Sequence, residues 1–421
     1  MKTIKLYSEA RRGNVETLTF KNAPKGWNSW DCYGASVTEE EVLLNAELMR
    51  DELLEYGWDT VVVDIQWYEP TADSSFYHKF TELDMDEYSR LIPSVNRFPS
   101  AKDGQGFKAL GEKIHAMGLK FGIHIMRGIP RQAVHQNTPI KDSTYTAREI
   151  ASANSIAPWN TDMYGLDPDH PGSQVYYDSL FELYASWGVD YIKVDDIADS
   201  KLYGTHLDEI KMIHKAIKNS GRPMVLSLSP GPANIEYAEE CQEYANLWRM
   251  TDDYWDIWEL LFGMFERCRV WAQYVKEGSY PDCDMLPMGR IGIRSIDGGA
   301  TDRMTRFTQA EQRTMMTLWS IFGSPLMFGG DLRYNDDFTW GILKDETLTL
   351  MHREVTSRRE VSNDGTLITW EGISQEHQYT AIFNVSDYEV TIAHPVAGKI
   401  TIASHDVCLL KNDEKVTLYG Q

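Results

Sequence analysis

Eight short, almost continuously apolar runs separated by helix-like segments occupy this 421-residue chain between Trp27 and Asp331. They fall near residues 27–30 (WNSW), 60–67 (TVVVDIQW), 119–126 (LKFGIHIM), 190–197 (DYIKVDDI), 223–229 (PMVLSLS), 246–252 (NLWRMTD), 284–288 (DMLPM) and 325–331 (PLMFGGD). Strands that are apolar on both faces belong in a parallel sheet covered on both sides, because crossover helices pack above and below it. Eight strand–helix units in succession predict a (β/α)8 TIM barrel. A doubly wound open sheet is the alternative, but no glycine-rich phosphate loop follows the first strand.

The intervening helices carry their own punctuation. Residues 38–56 open with Thr38 and Glu41 at capping-box spacing, repeat Val42, Ala46, Met49 and Leu53 on one face, and stop at Gly57. Segments 106–117, 174–187 and 206–219 stop similarly at Gly118, Gly188 and Gly221, and Thr308 with Glu311 opens a helix over 309–322. After residue 354 the pattern changes to TLITWEGI, HQYTAIFNV, YEVTIAH and VCLLKN, short alternating runs between polar turns. The expected organisation is a (β/α)8 barrel over 1–354 and a small antiparallel β-sandwich over 355–421.

Charge and cysteine content narrow the function. A net charge of −22 disfavours nucleic acid and anionic membranes as partners, since phosphate binding needs basic patches. A neutral sugar is not repelled by such a surface. No apolar run approaches the ~20 residues of a membrane span, and the opening MKTIKLYSEARRGNVETLTF lacks the ~7–15-residue apolar stretch of a secretory signal. These features predict a cytoplasmic protein and leave a homo-oligomer open. Cys32, Cys241, Cys268, Cys283 and Cys408 are odd in number and show no CxxC spacing, so neither a disulfide framework nor a zinc site is expected.

In a barrel of this kind the active site lies at the C-terminal ends of the strands. Carboxylates gather there: Asp64 ends the second predicted strand, Asp195 and Asp196 the fourth, Asp252 and Asp253 the sixth and Asp331 the eighth, while Asp282 and Asp284 open the seventh. Strand-end aspartates also cap helices, and Asp196, Asp252 and Asp331 are candidates for that role. The set as a whole points to chemistry, because so many carboxylates at one barrel mouth repel each other. His124, the only histidine on the later half of a predicted strand, joins them, but the scattered histidines do not form a metal-ligand set. Glycoside hydrolysis by two carboxyl groups is the better fit. Lys193, two residues before Asp195 on one strand face, favours an ionised nucleophile at Asp195. Crowded negative charge around Asp253 favours a proton-holding acid/base there.

At these residues the chain resembles glycoside hydrolase family 27, the α-galactosidase family. GWNSWDCYG at 26–34 resembles its opening pattern, YIKVDDI at 191–197 its nucleophile motif and WRMTDDYWDIW at 248–258 its arginine-containing acid/base motif. PDCDML at 281–286 and SPLMFGGDL at 324–332 resemble its later strands. The resemblance implies a retaining, cofactor-free hydrolase with no metal, acting on a terminal sugar, with Asp195 as nucleophile and Asp253 as acid/base. It also implies that Trp30, Asp64, Lys193, Arg249 and Asp284 surround that sugar. Trp67, at the same strand end as Asp64, is expected to add an aromatic face. A catalytically inactive carbohydrate-binding protein is disfavoured because both Asp195 and Asp253 are present.

Three departures from the family pattern bear on substrate. The usual cysteine after the nucleophile motif is Ile197, so a disulfide near the site is missing. Leu228, Ser229 and Pro230 replace Cys-Glu-Trp; a small serine there is seen in α-N-acetylgalactosaminidases, where it makes room for an acetamido group. Most members follow the strand-two aspartate with a second one, and the pair binds the 4- and 6-hydroxyls of galactose. Here the second is Ile65. β-L-Arabinopyranose has the ring stereochemistry of α-D-galactopyranose without the hydroxymethyl group, so an apolar residue fills the vacancy. A carboxylate there would be left unpaired, at about 1–3 kcal/mol. The expectation is therefore a β-L-arabinopyranosidase with weaker α-galactosidase action. The alternatives are an α-galactosidase or α-N-acetylgalactosaminidase in which Ile65 merely packs and water or Gln66 serves the 6-hydroxyl.

Overall fold

The computed structural model describes residues 21–296 and 301–421; the reading of residues 1–20 as lacking a signal segment lies outside them. Eight strands, Lys25–Asn28, Thr60–Val63, Lys120–Met126, Tyr191–Asp195, Val225–Leu228, Leu247–Arg249, Tyr280–Asp282 and Leu326–Phe328, pair in parallel, the second to the seventh each with its predecessor and the eighth with the first. A parallel bridge from Leu286 to Phe328, with the Leu286 N–H donating to the Met327 carbonyl at 2.7 Å, closes the ring between the seventh and eighth strands. This is the predicted TIM barrel.

Most strands are shorter than their apolar runs, the first is shifted to Lys25–Asn28, and each acid at the mouth ends a strand or follows its end. The second strand stops at Val63, before Asp64. The fourth stops at Asp195, because Asp196 adopts a left-handed conformation with φ 57°. The seventh is a correction: Asp282 ends it instead of opening it, and the apolar DMLPM run is the turn beyond. Asp284 takes φ 77°, which breaks the ladder, and its N–H donates to Asp282 Oδ1 at 2.8 Å. Met285, Leu286 and Met288 are buried where the barrel closes, Leu286 touching the eighth strand through one isolated bridge and no ladder.

Both expected capping boxes form. Thr38 caps the helix Glu39–Glu52 and Thr308 caps Gln309–Phe322, with Glu41 and Glu311 bonding back to the cap residues. Between the third strand and the helix Pro171–Ser186 the chain inserts a three-stranded antiparallel sheet built from Ile129–Pro130, Ala151–Ile156 and Met163–Leu166. Its polar ASANSI strand lacks the alternation that marks a half-buried strand, which hid it in the sequence.

The C-terminal region is an antiparallel sheet of five strands in the order Ser357–Asn363, Leu367–Ile373, Gln378–Asn384, Val407–Lys411, Glu414–Val416. A two-stranded ribbon, Val390–His394 and Gly398–Ile402, covers one face through Ile382, Ile400, Ile402, Cys408 and Leu410, completing the β-sandwich. The other face packs on the helix Gln309–Phe322, which is buried from Glu311 to its last residue because it lies between barrel and sheet. Arg313 anchors that contact, donating to both oxygens of Asp406 at 2.9 and 2.7 Å. All five cysteines are buried and unpaired. No helix among the described residues is long and apolar enough to cross a membrane.

Removing one member of a buried ion pair strands the other. Asp406→Ala should therefore cost about 3–5 kcal/mol, read as a lowered urea midpoint, whereas Asp387→Ala, at an almost fully exposed carboxyl, should leave the midpoint within error.

Candidate active site

A cavity of about 240 Å³ opens at the C-terminal mouth of the barrel, with Trp30, Asp64, Ile65, Lys193, Asp195, Arg249, Asp253 and Asp284 in its wall. They come from the ends of the first, second, fourth, sixth and seventh strands or the turns after them, which is why residues so far apart in sequence converge.

Asp64 is buried, and its Oδ2 accepts from Asn28 Nδ2 at 2.8 Å and from Lys193 Nζ at 3.0 Å. Its other oxygen accepts the Ile65 N–H at 2.9 Å. Burial works against ionisation here, but Lys193, His124 and Asn28 outweigh it and hold Asp64 below the usual carboxylate range. Lys193 thus bonds Asp64 directly, where the sequence paired it with Asp195. The immediate partner of Asp195 is His124, whose Nε2 lies 2.9 Å from Oδ2, while Oδ1 accepts the Asp196 N–H at 2.7 Å. Burial again opposes the charge, and His124, Lys193 and the Asp196 N–H overcome it, so Asp195 too is held below its ordinary value.

Arg249 organises the opposite wall. Its Nη1 lies 2.7 Å from Asp284 Oδ1 and its Nη2 donates to Asp253 Oδ1 at 3.0 Å. The negative crowding expected around Asp253 is therefore offset by a guanidinium, and the Asp253 side chain is half exposed. Asp284 is buried, and burial raises it to about 6, with Asp253 and Asp282 adding to the rise and Arg249 and Lys193 opposing it.

Other expectations need correction. Trp67 is fully buried, donates its indole N–H to the His124 carbonyl at 2.7 Å and packs on Tyr68, Phe107 and Trp187. It supports the strand carrying His124 and does not reach the cavity. His124 stands behind Asp195 with no exposure. Ser229 is buried outside the cavity wall, and its neighbour Pro230 faces the cavity instead. Asp331 is a cap, bonded to the Arg333 backbone N–H. Asp196 is held by Arg127 and Trp159, and Asp252 accepts the Asp253 N–H at the mouth.

Among the cavity residues that escaped the sequence reading are Asp31, Tyr77 and Trp159. Tyr77 stacks on Trp30 with ring centroids 6.1 Å apart and meets Trp159 at 5.4 Å. Both come from insertions whose three-dimensional return to the mouth no local pattern encodes. Asp31 had a signal, since it adjoins Trp30 in the GWNSWD run.

A family model described as alpha galactosidase A (Melibiase_2) matches residues 167–353. A glycoside hydrolase family 27 β-L-arabinopyranosidase from Geobacillus stearothermophilus, solved in complex with arabinose, is 56% identical over 93% of this chain and 97% of its own, with a TM-score of 0.91. The chain belongs to glycoside hydrolase family 27. A candidate α-N-acetylgalactosaminidase from Bacillus halodurans C-125 is 53% identical over 92% of this chain and 96% of its own, with a TM-score of 0.83. An Oryza sativa α-galactosidase is 25% identical over 94% of this chain and 81% of its own length. This member of family 27 is thus a glycoside hydrolase.

The depressed pKa of Asp195 has a pH consequence. Its ionised form, and the stability that goes with it, is present above the unfolded carboxylate value and is lost as pH falls through the lower folded value. Replacing His124 removes its main opposing support, so in His124→Leu the acid limb of the kcat/KM profile should move to higher pH by about half a unit or more. An unmoved limb would show that His124 does not set the ionisation of Asp195.

Proposed function

We propose that this enzyme is a retaining exo-glycosidase that releases terminal β-L-arabinopyranose, with weaker action on α-D-galactopyranosides. Asp195 is the nucleophile and Asp253 the acid/base. Ile65 carries the reading. It lines the cavity directly after Asp64, at the position where family members that bind galactose place a second carboxylate for the 6-hydroxyl. Gln66 is not available for that hydroxyl, because it is fully buried and its Nε2 is bonded to Asp162. Similarity to a β-L-arabinopyranosidase supports the same choice. The burial of Ser229 outside the cavity wall removes the feature that favoured an acetamido sugar. The five free thiols are in keeping with the cytoplasm as the compartment.

In the first step the ionised Asp195 carboxylate attacks the anomeric carbon, and Asp253 protonates the departing oxygen. In the second, Asp253 takes a proton from water, which attacks the same carbon and frees Asp195. Environment separates the two roles. Asp195 is fixed by His124 and a backbone N–H. Asp253 sits at the half-exposed mouth, where aglycone leaves and water enters. Arg249 ties Asp253 to Asp284, so the acid/base is held in place.

Two experiments follow. Asp195→Ala should lose turnover and gain no retained product with azide. Asp253→Ala should still cleave substrates with good leaving groups and yield a glycosyl azide of retained configuration; exchanged behaviours would exchange the roles. The wild type should have a higher kcat/KM on 4-nitrophenyl β-L-arabinopyranoside than on the matching α-D-galactopyranoside. Ile65→Asp should move that ratio toward galactose by about tenfold, or ~1.4 kcal/mol. A wild type that already prefers the galactoside would leave Ile65 as ordinary packing.

A further inference from the structure

Asp31 differs from every other carboxyl in the cavity wall. Asp64, Asp195, Asp253 and Asp284 each hold a cation or a hydrogen-bond donor. Asp196 and Asp252 are likewise bonded, to Arg127 and to the Asp253 N–H. Asp31 is 3% exposed, and among the described residues its carboxyl has neither cation nor donor. Such a group is costly unless something satisfies it.

Its geometry shows from which side satisfaction comes. Oδ2 is sealed from solvent with no partner, against the backbone of Gly329. A Cβ at position 329 would lie 2.0 Å from that oxygen, so glycine is what allows the carboxyl to seat there. With Oδ2 closed off, Oδ1 is the carboxyl oxygen left to serve the cavity that Asp31 lines. The preceding residue, Trp30, forms the aromatic face of the same cavity, and both belong to the single turn Trp30–Tyr33. The Asp31 backbone is pinned by the Gly292 N–H, which donates to its carbonyl at 2.8 Å.

The surroundings decide the protonation state. Burial and the neighbouring Asp284, Asp253 and Asp64 push Asp31 well above the usual carboxylate range, and Lys193, which bonds Asp64 instead, opposes them only in part. A carboxyl that keeps its proton is a hydrogen-bond donor, whereas an ionised carboxylate only accepts.

We propose that Asp31 is a substrate-binding residue of this site, a neutral carboxylic acid whose Oδ1–H donates to one ring hydroxyl of the bound sugar beside Trp30. The inference rests on this cavity being the glycosidase site. It does not depend on which sugar is preferred.

The test is a substitution cycle on the 4-nitrophenyl glycoside that the wild type cleaves best, together with its 2-, 3- and 4-deoxy analogues. Asp31→Ala should lower kcat/KM on the parent by about tenfold or more, and that loss should vanish on the one analogue lacking the hydroxyl that Asp31 binds. Asp31→Asn, a neutral group of the same shape, should keep kcat/KM within about threefold of wild type. A loss of equal size on every analogue would make Asp31 a structural residue, and no loss would remove it from the site. An Asn variant as impaired as Ala would show that the ionised form is needed. If Asp31→Ala does not fold, Asp31→Ser carries the same comparison. A galactoside preference in the wild type would overturn the sugar assignment above and leave this cycle intact.

Discussion

Two buried cations hold this active site together. Lys193 on the fourth strand reaches Asp64 after the second, and Arg249 on the sixth reaches both Asp253 and Asp284, the latter beyond the seventh. Without them the carboxyls at the barrel mouth would repel one another in a medium where charges are poorly screened. Burial disfavours both cations, yet the surrounding carboxylates raise them above their ordinary values, so both stay charged. The result is a ring of fixed charges spanning half the barrel. Charge developing on a sugar meets groups that are already oriented, so little reorganisation is needed.

Specificity in such a ring comes from departures from charge. Ile65 offers apolar contact at a position bordered by Asp64 and its partners, and that rewards a sugar with nothing polar to place there. Asp31 departs in the other direction. It has the covalent structure of its neighbours but, among the described residues, no counter-ion, and it keeps a proton. A pyranose carries hydroxyls that both donate and accept, and a wall made only of carboxylates and cations matches one role at a time. Ile65 and Asp31 are two positions beside the ionised acids where the wall carries no charge.

Much of this was legible in the chain. Thr38 with Glu41 and Thr308 with Glu311 marked helix starts because capping is a local interaction, complete within four residues. The strand-end aspartates were legible because apolar strands and the acids after them are adjacent in sequence. The seventh strand was misplaced because Met285 and Leu286 are buried by barrel closure and not by ladder pairing, and apolarity alone does not separate the two. Trp67 was misjudged because a strand-end position does not say which way a side chain turns after the strand stops. Tyr77 and Trp159 were missed because they reach the mouth from inserted segments, through contacts that exist only once the barrel has closed. Asp31 was in plain view, but its meaning is the absence of a partner, which only three dimensions reveal.

The central claim is that a pentopyranosyl group passes through a covalent bond to Asp195. Its most direct test is mass spectrometry of enzyme quenched during turnover of a slow, activated 2-fluoro β-L-arabinopyranosyl substrate. The account predicts one fluoropentosyl adduct per chain, on the peptide that carries Asp195. Adduct on a different carboxyl, or no adduct together with an inverted product, would contradict it.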